Sequence, residues 1–438
     1  MLIEFSIGNY RSFKDVVIFS LVAANISAQD KRLDENNVFK VDTDLSLLKS
    51  SVIYGANASG KSNLAAALRF MRQFVLNSSK ETQIAEKIGT EPFRLSTDTA
   101  DSPSRFEIVF ILEERKYRYG FSVDTERVVS EWLYHVPIKK ETRLFERQLD
   151  KISVTAAFKE GKEVTGKTRP NALFLSSVAQ WNGALSEKIL GWFRRLNVIS
   201  GLNDTALMGI TTQMLADPNL RDEVVNLIKK LDVGIDDVRI EKVNLPPIDI
   251  YDIPQDVREE MGGLFDELIK LSKHSDTGLV EIQTSHRKYN ANGETVSLES
   301  FNIEEQESEG TKKLVALSGP LIDTLKNGRT LLIDEMDARL HPLITRAIID
   351  LFNSNESNPH NAQLIFITHD TNLLSKDRFR RDQIWFAEKD RLGATHIYSL
   401  VEFKVRKDAS FSVDYINGKY GAIPLTGDLS HLWEESNA

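Results

Sequence analysis

Apolar and polar positions mix in a strand-like way over Leu2 to Ile7, and the apolar run Val16-Val17-Ile18-Phe19-Ser20-Leu21 reads as a second strand. The turn Asn9-Tyr10-Arg11-Ser12-Phe13-Lys14-Asp15 joins them into an N-terminal hairpin. Ala24 to Ser46 is polar and reads as a loop or partly mobile lid. Leu48 and Ser51-Val52-Ile53-Tyr54 then predict a β-strand, and the helix formers from Asn63 to about Leu76 predict a helix. Phe106 to Leu112, Lys116 to Val123 and Val128 to Tyr134 read as an antiparallel meander with charged turns such as Glu113-Glu114-Arg115.

A polar stretch from Glu141 to Pro170 follows, after which helical spacing takes over. It is carried by Leu185, Ile189, Trp192, Phe193 and Leu196, and by Val224, Val225, Leu227, Ile228 and Leu231. Val257, Met261, Leu264, Phe265, Leu268 and Ile269 mark a third amphipathic helix opened near Pro254. Leu279 to Ile303 reads as a hairpin turning at Asn290-Ala291-Asn292-Gly293, and a helix runs from about Glu309 through Leu314, Leu317, Leu321 and Leu325. Arg329 to Ile333 and Gln363 to Thr368 are buried-strand runs. Strands alternating with helices at this end imply a largely parallel sheet. No heptad pattern is sustained long enough for a coiled coil.

Between the strand ending at Tyr54 and its helix lies Gly55-Ala56-Asn57-Ala58-Ser59-Gly60-Lys61-Ser62, the Gly-x-x-x-x-Gly-Lys-Ser spacing of a phosphate-binding loop. Gly55 and Gly60 let the backbone turn tightly and point amides at a phosphate chain, at the positive end of the following helix. Lys61 then sits on the β and γ phosphates and the Ser62 hydroxyl is a Mg²⁺ ligand. The nucleotide-binding set is Gly55, Asn57, Ala58, Ser59, Gly60, Lys61, Ser62 and Asn63. The bland alternative is a glycine-rich turn that binds nothing. The flanking strand and helix weigh against it.

Composition changes this picture little. A chain of 438 residues makes room for two structural units, and the absence of cysteine excludes disulfides, thiolate zinc sites and cysteine nucleophiles. The start Met1-Leu2-Ile3-Glu4-Phe5 has no basic and apolar leader pattern, and no run is long enough to cross a bilayer, so a cytoplasmic protein with no membrane partner is expected. A formal charge of −9 disfavours a general nucleic-acid coat yet leaves room for one local basic groove.

The reaction is narrowed far along the chain. Leu331-Leu332-Ile333 runs into Asp334-Glu335, two carboxylates at a strand's C-terminal end, where Asp334 would hold Mg²⁺ and Glu335 would orient and polarise water. A surface strand end is the plain alternative. Glu307-Ser308-Glu309-Gly310-Thr311 offers an anion site at a helix start, or an N-cap at Ser308, and both can hold. His369, before Asp370, is either structural or catalytic.

Gly55 to Ser62, Ser308 to Thr311, Asp334-Glu335 and His369 stand in the order of Walker A, signature, Walker B and switch histidine of ABC-type ATPases. Asn9 to Phe13 resembles the start of the SMC and RecF branch. Glu307 to Lys313, Leu340-His341-Pro342, Thr368-His369-Asp370 and Arg381 to Phe386 with Glu388-Lys389 look like the AAA-family ATPases of bacterial abortive-infection and OLD-like phage-defence operons. That resemblance implies an α/β fold: an ABC-type P-loop ATPase head, a mixed sheet with a parallel core plus an antiparallel β subdomain, carrying an inserted helical arm. It implies a head-to-head homodimer, or a higher homo-oligomer, binding ATP and Mg²⁺ between protomers. Lys61, Ser62 and Asp334 would hold Mg-ATP, Glu335 would be the hydrolytic base, and His369 would contact the γ phosphate. Ser308 and Gly310 would reach it from the partner, Arg11 would touch the nucleotide near the loop, and Asp337 begins the D-loop.

Several features depart from the family pattern. Glu309 stands where transporters carry glycine, and Gln83 is a Q-loop candidate only by elimination. The chain after His369 is too short for the TOPRIM nuclease domain of OLD-like proteins. The expected division is 1–140 as the N-terminal half of the head, 141–278 as a largely helical insert, 279–400 as the C-terminal half, and 401–438 as a tail for partner docking. The leading expectation is an ATPase that senses or gates a separately encoded effector, such as a nuclease, in anti-phage defence. The alternative is a RecF-like or SMC-like clamp on DNA, supported by Lys376, Arg378, Arg380 and Arg381 and by Lys139, Lys140 and Arg143. A transporter motor ranks last.

Overall fold

The computed structural model describes residues 1–80, 83, 86–137, 140–202, 204–231, 234–243, 279–406 and 409–424. The chain forms two compact units, Met1–Leu202 with Asp323–Ala438, and Asn203–Ile322.

In the first unit, β1 (Leu2–Gly8) and β2 (Val17–Ser20) form the expected antiparallel hairpin. The stretch expected to be loop instead holds α1 (Lys31–Asn36), β3 (Val38–Lys40) and β4 (Ser46–Leu48). Phe39 and Leu47 are buried there, in elements too short to show a period. β5 (Ser50–Tyr54) leads to α2 (Lys61–Asn77), and β6 (Ser104–Leu112), β7 (Arg115–Val123) and β8 (Val128–Val136) are the meander. β9 (Thr142–Gln148) and β10 (Lys151–Val154) extend it into the stretch read as polar, because Leu144 and Phe145 bury completely between charged neighbours.

Next come α3 (Phe174–Gln180), α4 (Ala184–Arg194) and β11 (Leu196–Ser200). Leu196, placed on a helix by its spacing, opens this strand instead. Residues 141–202 thus fold with the head and not with an insert beginning at 141.

The second unit holds α5 (Asp204–Ala216), α6 (Pro218–Lys230), β12 (Asp237–Val243), β13 (Leu279–Tyr289), β14 (Thr295–Asn302), α7 (Ile303–Gln306) and α8 (Glu309–Lys326). Its three strands form one antiparallel sheet around a core that includes Val224, Ile228, Val238, Ile282 and Val315. The described residues there are mixed α and β where a largely helical arm was expected. The amphipathic helix read over Val257 to Ile269 lies outside the described residues.

The first unit resumes with β15 (Thr330–Asp334), α9 (Pro342–Phe352), β16 (Gln363–Ile367), β17 (Ile384–Lys389), β18 (Thr395–Ser399) and α10 (Phe411–Ile416). Two sheets organise it. One is antiparallel, in the order β10-β9-β8-β7-β6-β1-β2. The other runs β11-β15-β16-β5-β17-β18 and is parallel except for β18 at its edge.

The α2 helix joins the two sheets. Its Leu64, Leu68, Met71, Phe74 and Val75 repeat at helical spacing and share one core with Phe106, Phe110 and Phe121 of the antiparallel sheet and with Ile53, Leu332 and Ile365 of the parallel one. The α/β class with a parallel core and an antiparallel β subdomain is therefore as the sequence reads. No helix among the described residues is long and apolar enough to cross a membrane.

A buried charge pair pins the antiparallel sheet to α3. Glu131 accepts from Tyr119 Oη at 3.0 Å and from the amides of Phe174 at 2.6 Å and Leu175 at 2.9 Å. Arg147 donates to the carbonyls of Leu149, Ala172, Arg169 and Pro170, with its Nη1 3.9 Å from Glu131 Oε2. Both side chains are at most 1% exposed, so removing one leaves the other buried without its countercharge. Arg147→Met is expected to cost about 3–5 kcal/mol in urea unfolding. A loss below about 1 kcal/mol, the scale of an exposed pair, would contradict that reading.

Candidate functional site

Parallel β5, β16 and β15 lie side by side, so the chain leaves all three at the same edge of the sheet. Gly55 to Gly60 follow β5, Thr368-His369 follow β16, and Asp334 ends β15 with Glu335 after it. The Met336 amide donates to the Ile367 carbonyl at 3.1 Å, tying the loop after β15 to the end of β16.

Local backbone conformation makes the loop concave. Gly60 has a left-handed φ of +98°, and a Cβ there would strike Thr395 Oγ1 and Ser12 Oγ. A Cβ on Gly55 would strike the Ala387 carbonyl and Ser59 Oγ. Ala58 is also left-handed, at φ 62°. No side chain caps the start of α2, so its first amides keep their hydrogen-bonding capacity for a ligand. Ser59 Oγ is buried without a hydrogen-bond partner.

Lys61 Nζ donates to the carbonyls of Gly55 at 2.7 Å and Ala56 at 2.8 Å. Burial lowers its pKa to about 8, against the opposing charges of Asp334, Glu335 and Asp337. Ser62 Oγ donates to Asp334 Oδ1 at 3.1 Å across 272 positions of sequence. Burial raises the Asp334 carboxyl, opposed by that hydrogen bond from Ser62. His369 is lowered, chiefly by burial and next by the Lys61 charge, which favours the neutral imidazole. Glu335 holds a left-handed φ of 55°, uncommon outside glycine.

Asn63 Nδ2 donates to Ser12 Oγ at 2.7 Å, and Thr395 Oγ1 bonds Ser12 Oγ and the Ser59 carbonyl, each at 2.8 Å. Three distant segments are thus clasped behind the loop. The sequence reading missed Ser12 and Thr395 as site residues. Ser12 stood in the quoted turn, while Thr395 carries no motif and shows itself only through the register of β18.

Arg11 reaches Glu91 Oε1 from both Nε and Nη2, at 3.1 and 2.6 Å, beside a groove of about 950 Å³ also lined by Ser12, Asn63, Phe93, Leu95 and Lys389. Gln83 is held by its amide, which donates to Glu86 at 3.0 Å. Asp337 keeps Oδ1 buried and unbonded.

Ser308 and Gly310 belong to the second unit. There Ser308 Oγ accepts from the Thr311 amide at 3.1 Å, so Ser308 caps α8. The preceding Glu307 accepts from His286 Nε2 at 2.7 Å and from Thr284 Oγ1. Of the basic clusters, Arg378 pairs with Asp350, Arg380 with Asp34 and Asp382, and Arg143 with Glu146. Lys139 lies outside the described residues.

No curated protein is significantly similar to the chain. Solved structures that resemble it include three SMC heads. An SMC head bound to the C-winged helix domain of ScpA has 15% identity, a TM-score of 0.41, and coverage of 91% of this chain and 97% of that one. The SMC head domain from Thermotoga maritima has 13% identity, a TM-score of 0.40, and coverage of 92% and 99%. An SMC head with an extended coiled coil, bound to the C-terminal domain of ScpA derived from Pyrococcus furiosus, has 12% identity, a TM-score of 0.35, and coverage of 91% and 96%. A family model described as "AAA domain, putative AbiEii toxin, Type IV TA system" matches residues 50–375, from β5 through the segment after His369. Since that match takes in well over half of the sequence and both carboxylate and lysine motifs, the chain belongs to this AAA-domain family.

Proposed function

We propose that this chain binds and hydrolyses ATP, closes on a second copy of itself as it does so, and through that closure senses or gates a separately encoded effector, a nuclease being the expected kind, in anti-phage defence. The observation that carries the ATPase reading is the Ser62–Asp334 hydrogen bond, which joins the Walker A and Walker B stretches at one point. The defence setting is supported by the family's description, which names an AbiEii toxin of a type IV TA system.

The residues fit a magnesium-bound triphosphate. The uncapped start of α2 and the glycine-lined concavity suit phosphate oxygens, and the orphaned Ser59 hydroxyl supplies a further donor. Ser62 and Asp334 would hold Mg²⁺, which when bound neutralises phosphate charge. Lys61 would exchange the Gly55 and Ala56 carbonyls for phosphate oxygens, and the amides of Asn57 to Ser62 would line the chain of phosphates. Glu335 would take the proton of the attacking water, while a neutral His369 would orient its γ-phosphate side. Arg11 would leave Glu91 to meet the nucleotide, with base and ribose in the groove beside Asn63. Ser308 and Gly310 would complete the site of the other protomer.

Phosphate release in Mg-ATP, read alongside molar mass by light scattering, tests this function. Turnover with a nucleotide-dependent mass increase is expected, and no turnover in either species would overturn it. The DNA-clamp alternative loses support from Arg378 and Arg380, whose charges are spent on internal carboxylates.

The Thr395 clasp gives a separate prediction. Thr395→Val takes its hydroxyl partner from the Ser59 carbonyl and leaves Ser12 Oγ with Asn63 alone, at about 1–3 kcal/mol for the buried carbonyl. ATP affinity by calorimetry is expected to fall about tenfold, with Thr395→Ser restoring it. Equal affinity in both variants would show the clasp to be idle.

A further inference from the structure

The first unit carries a second cavity, of about 440 Å³, that the nucleotide reading does not use. Arg381 in its wall lies three positions before β17, at the N-terminal ends of the parallel strands, where the Gln383 side chain donates to the Ser50 carbonyl at 3.0 Å. The phosphate loop leaves the opposite end of β5, about 16 Å away along a strand of this length.

The cavity floor is apolar and its rim is cationic. Ile26, Phe379 and Phe411 form the floor, with Lys376, Arg381 and Arg406 around it. Arg380 is spent on Asp34, Asp382 and the Ala24 carbonyl and serves as wall. Arg381 gives Nη1 to the Phe403 carbonyl at 3.2 Å. Arg406 is exposed, and its charge acts on the Asp414 carboxylate. The nearby Asp414 carboxylate is taken by Lys419 and Tyr420.

Phe411 of the cavity lining opens α10, which carries further apolar residues. The α10 helix turns Tyr415 inward onto Tyr54 and Phe386, with ring centroids 5.8 and 5.3 Å apart. Val413 and Ile416, three positions apart on its outer face, are 54% and 61% exposed. Exposed aliphatic residues beside a half-enclosed apolar pocket mark a protein-docking surface. Single-stranded nucleic acid stacks on exposed aromatic faces, whereas Phe379 and Phe411 are buried.

We infer that this cavity and the outer face of α10 dock an acidic, apolar-anchored peptide segment of a partner protein. Leucine-like anchors fill the pocket floor and lie on Val413 and Ile416, while aspartate or glutamate side chains meet Arg406 and Arg381. The nucleotide site takes no part in this docking.

The test is fluorescence anisotropy on the full chain with three labelled probes: a short glutamate–leucine peptide, an all-glutamate peptide of equal charge, and a single-stranded oligonucleotide. The glutamate–leucine peptide is expected to bind with Kd on the order of 10–100 µM and the all-glutamate peptide about tenfold more weakly. Arg406→Glu should weaken the first peptide about tenfold, and Val413→Ser with Ile416→Ser should bring it down to the all-glutamate level. Thermal melting and ATP affinity should stay unchanged in these variants, and peptide binding should persist in Lys61→Ala. No binding, equal binding by Arg406→Glu, or binding of the oligonucleotide alone through Arg406 would each overturn the proposal.

Discussion

Lys61→Ala abolishes nucleotide binding while leaving the fold intact, with ATP affinity by calorimetry expected to fall at least about a hundredfold. Lys61 Nζ bridges the carbonyls of Gly55 and Ala56, where it closes the loop on itself without ligand. With alanine, two carbonyl oxygens face the phosphate position with no cation between them, and a charge-assisted contact of about 1.5–3 kcal/mol becomes a repulsion. The helix behind the loop should survive. Its burial through Leu64, Leu68, Met71 and Phe74 does not involve the lysine side chain. Affinity equal to that of the unaltered chain would detach Lys61 from the nucleotide.

Glu335→Gln should do the opposite: keep ATP, lose turnover and accumulate dimer. The substitution preserves shape at a left-handed backbone position and removes the negative charge together with the capacity to accept a proton. Turnover by phosphate release is expected to fall about 10²–10⁴-fold, the usual contribution of a general base. Because Ser62, Lys61 and Asp334 remain, ATP stays bound and the closed species builds up on light scattering. A monomeric variant that still turns over normally would contradict both the base assignment and the link between hydrolysis and opening.

The residues that meet at the phosphate loop were legible because the chemistry demands particular types at fixed spacing. Glycine at 55 and 60 is required by contacts that a Cβ would violate, and Asp334 by delivery from a buried strand. The antiparallel extension through β9 and β10 was hidden because charged residues surround Leu144 and Phe145, masking the alternation. Leu196 was misread since one leucine fits both the helix ending at Arg194 and the strand that follows it. Short paired elements over 31–48 fall below any window in which periodicity can be read. The Ser12–Thr395 clasp was out of reach for another reason: it depends on residues 383 positions apart meeting in space, which no local pattern encodes.

Mixing two inactive variants tests whether one triphosphate is held between two copies of the chain. Lys61→Ala removes the phosphate grip and Ser308→Arg blocks the signature, so each variant alone should lack ATPase activity. If the site is shared between copies, a mixed dimer rebuilds one complete site from the intact Lys61 of one subunit and the intact Ser308 of the other. Random pairing should then restore about a quarter of the unaltered turnover, as symmetric dimers with two equivalent sites require. Phosphate release that stays at the level of the separate variants, once subunit exchange is verified, would contradict a triphosphate held between two copies.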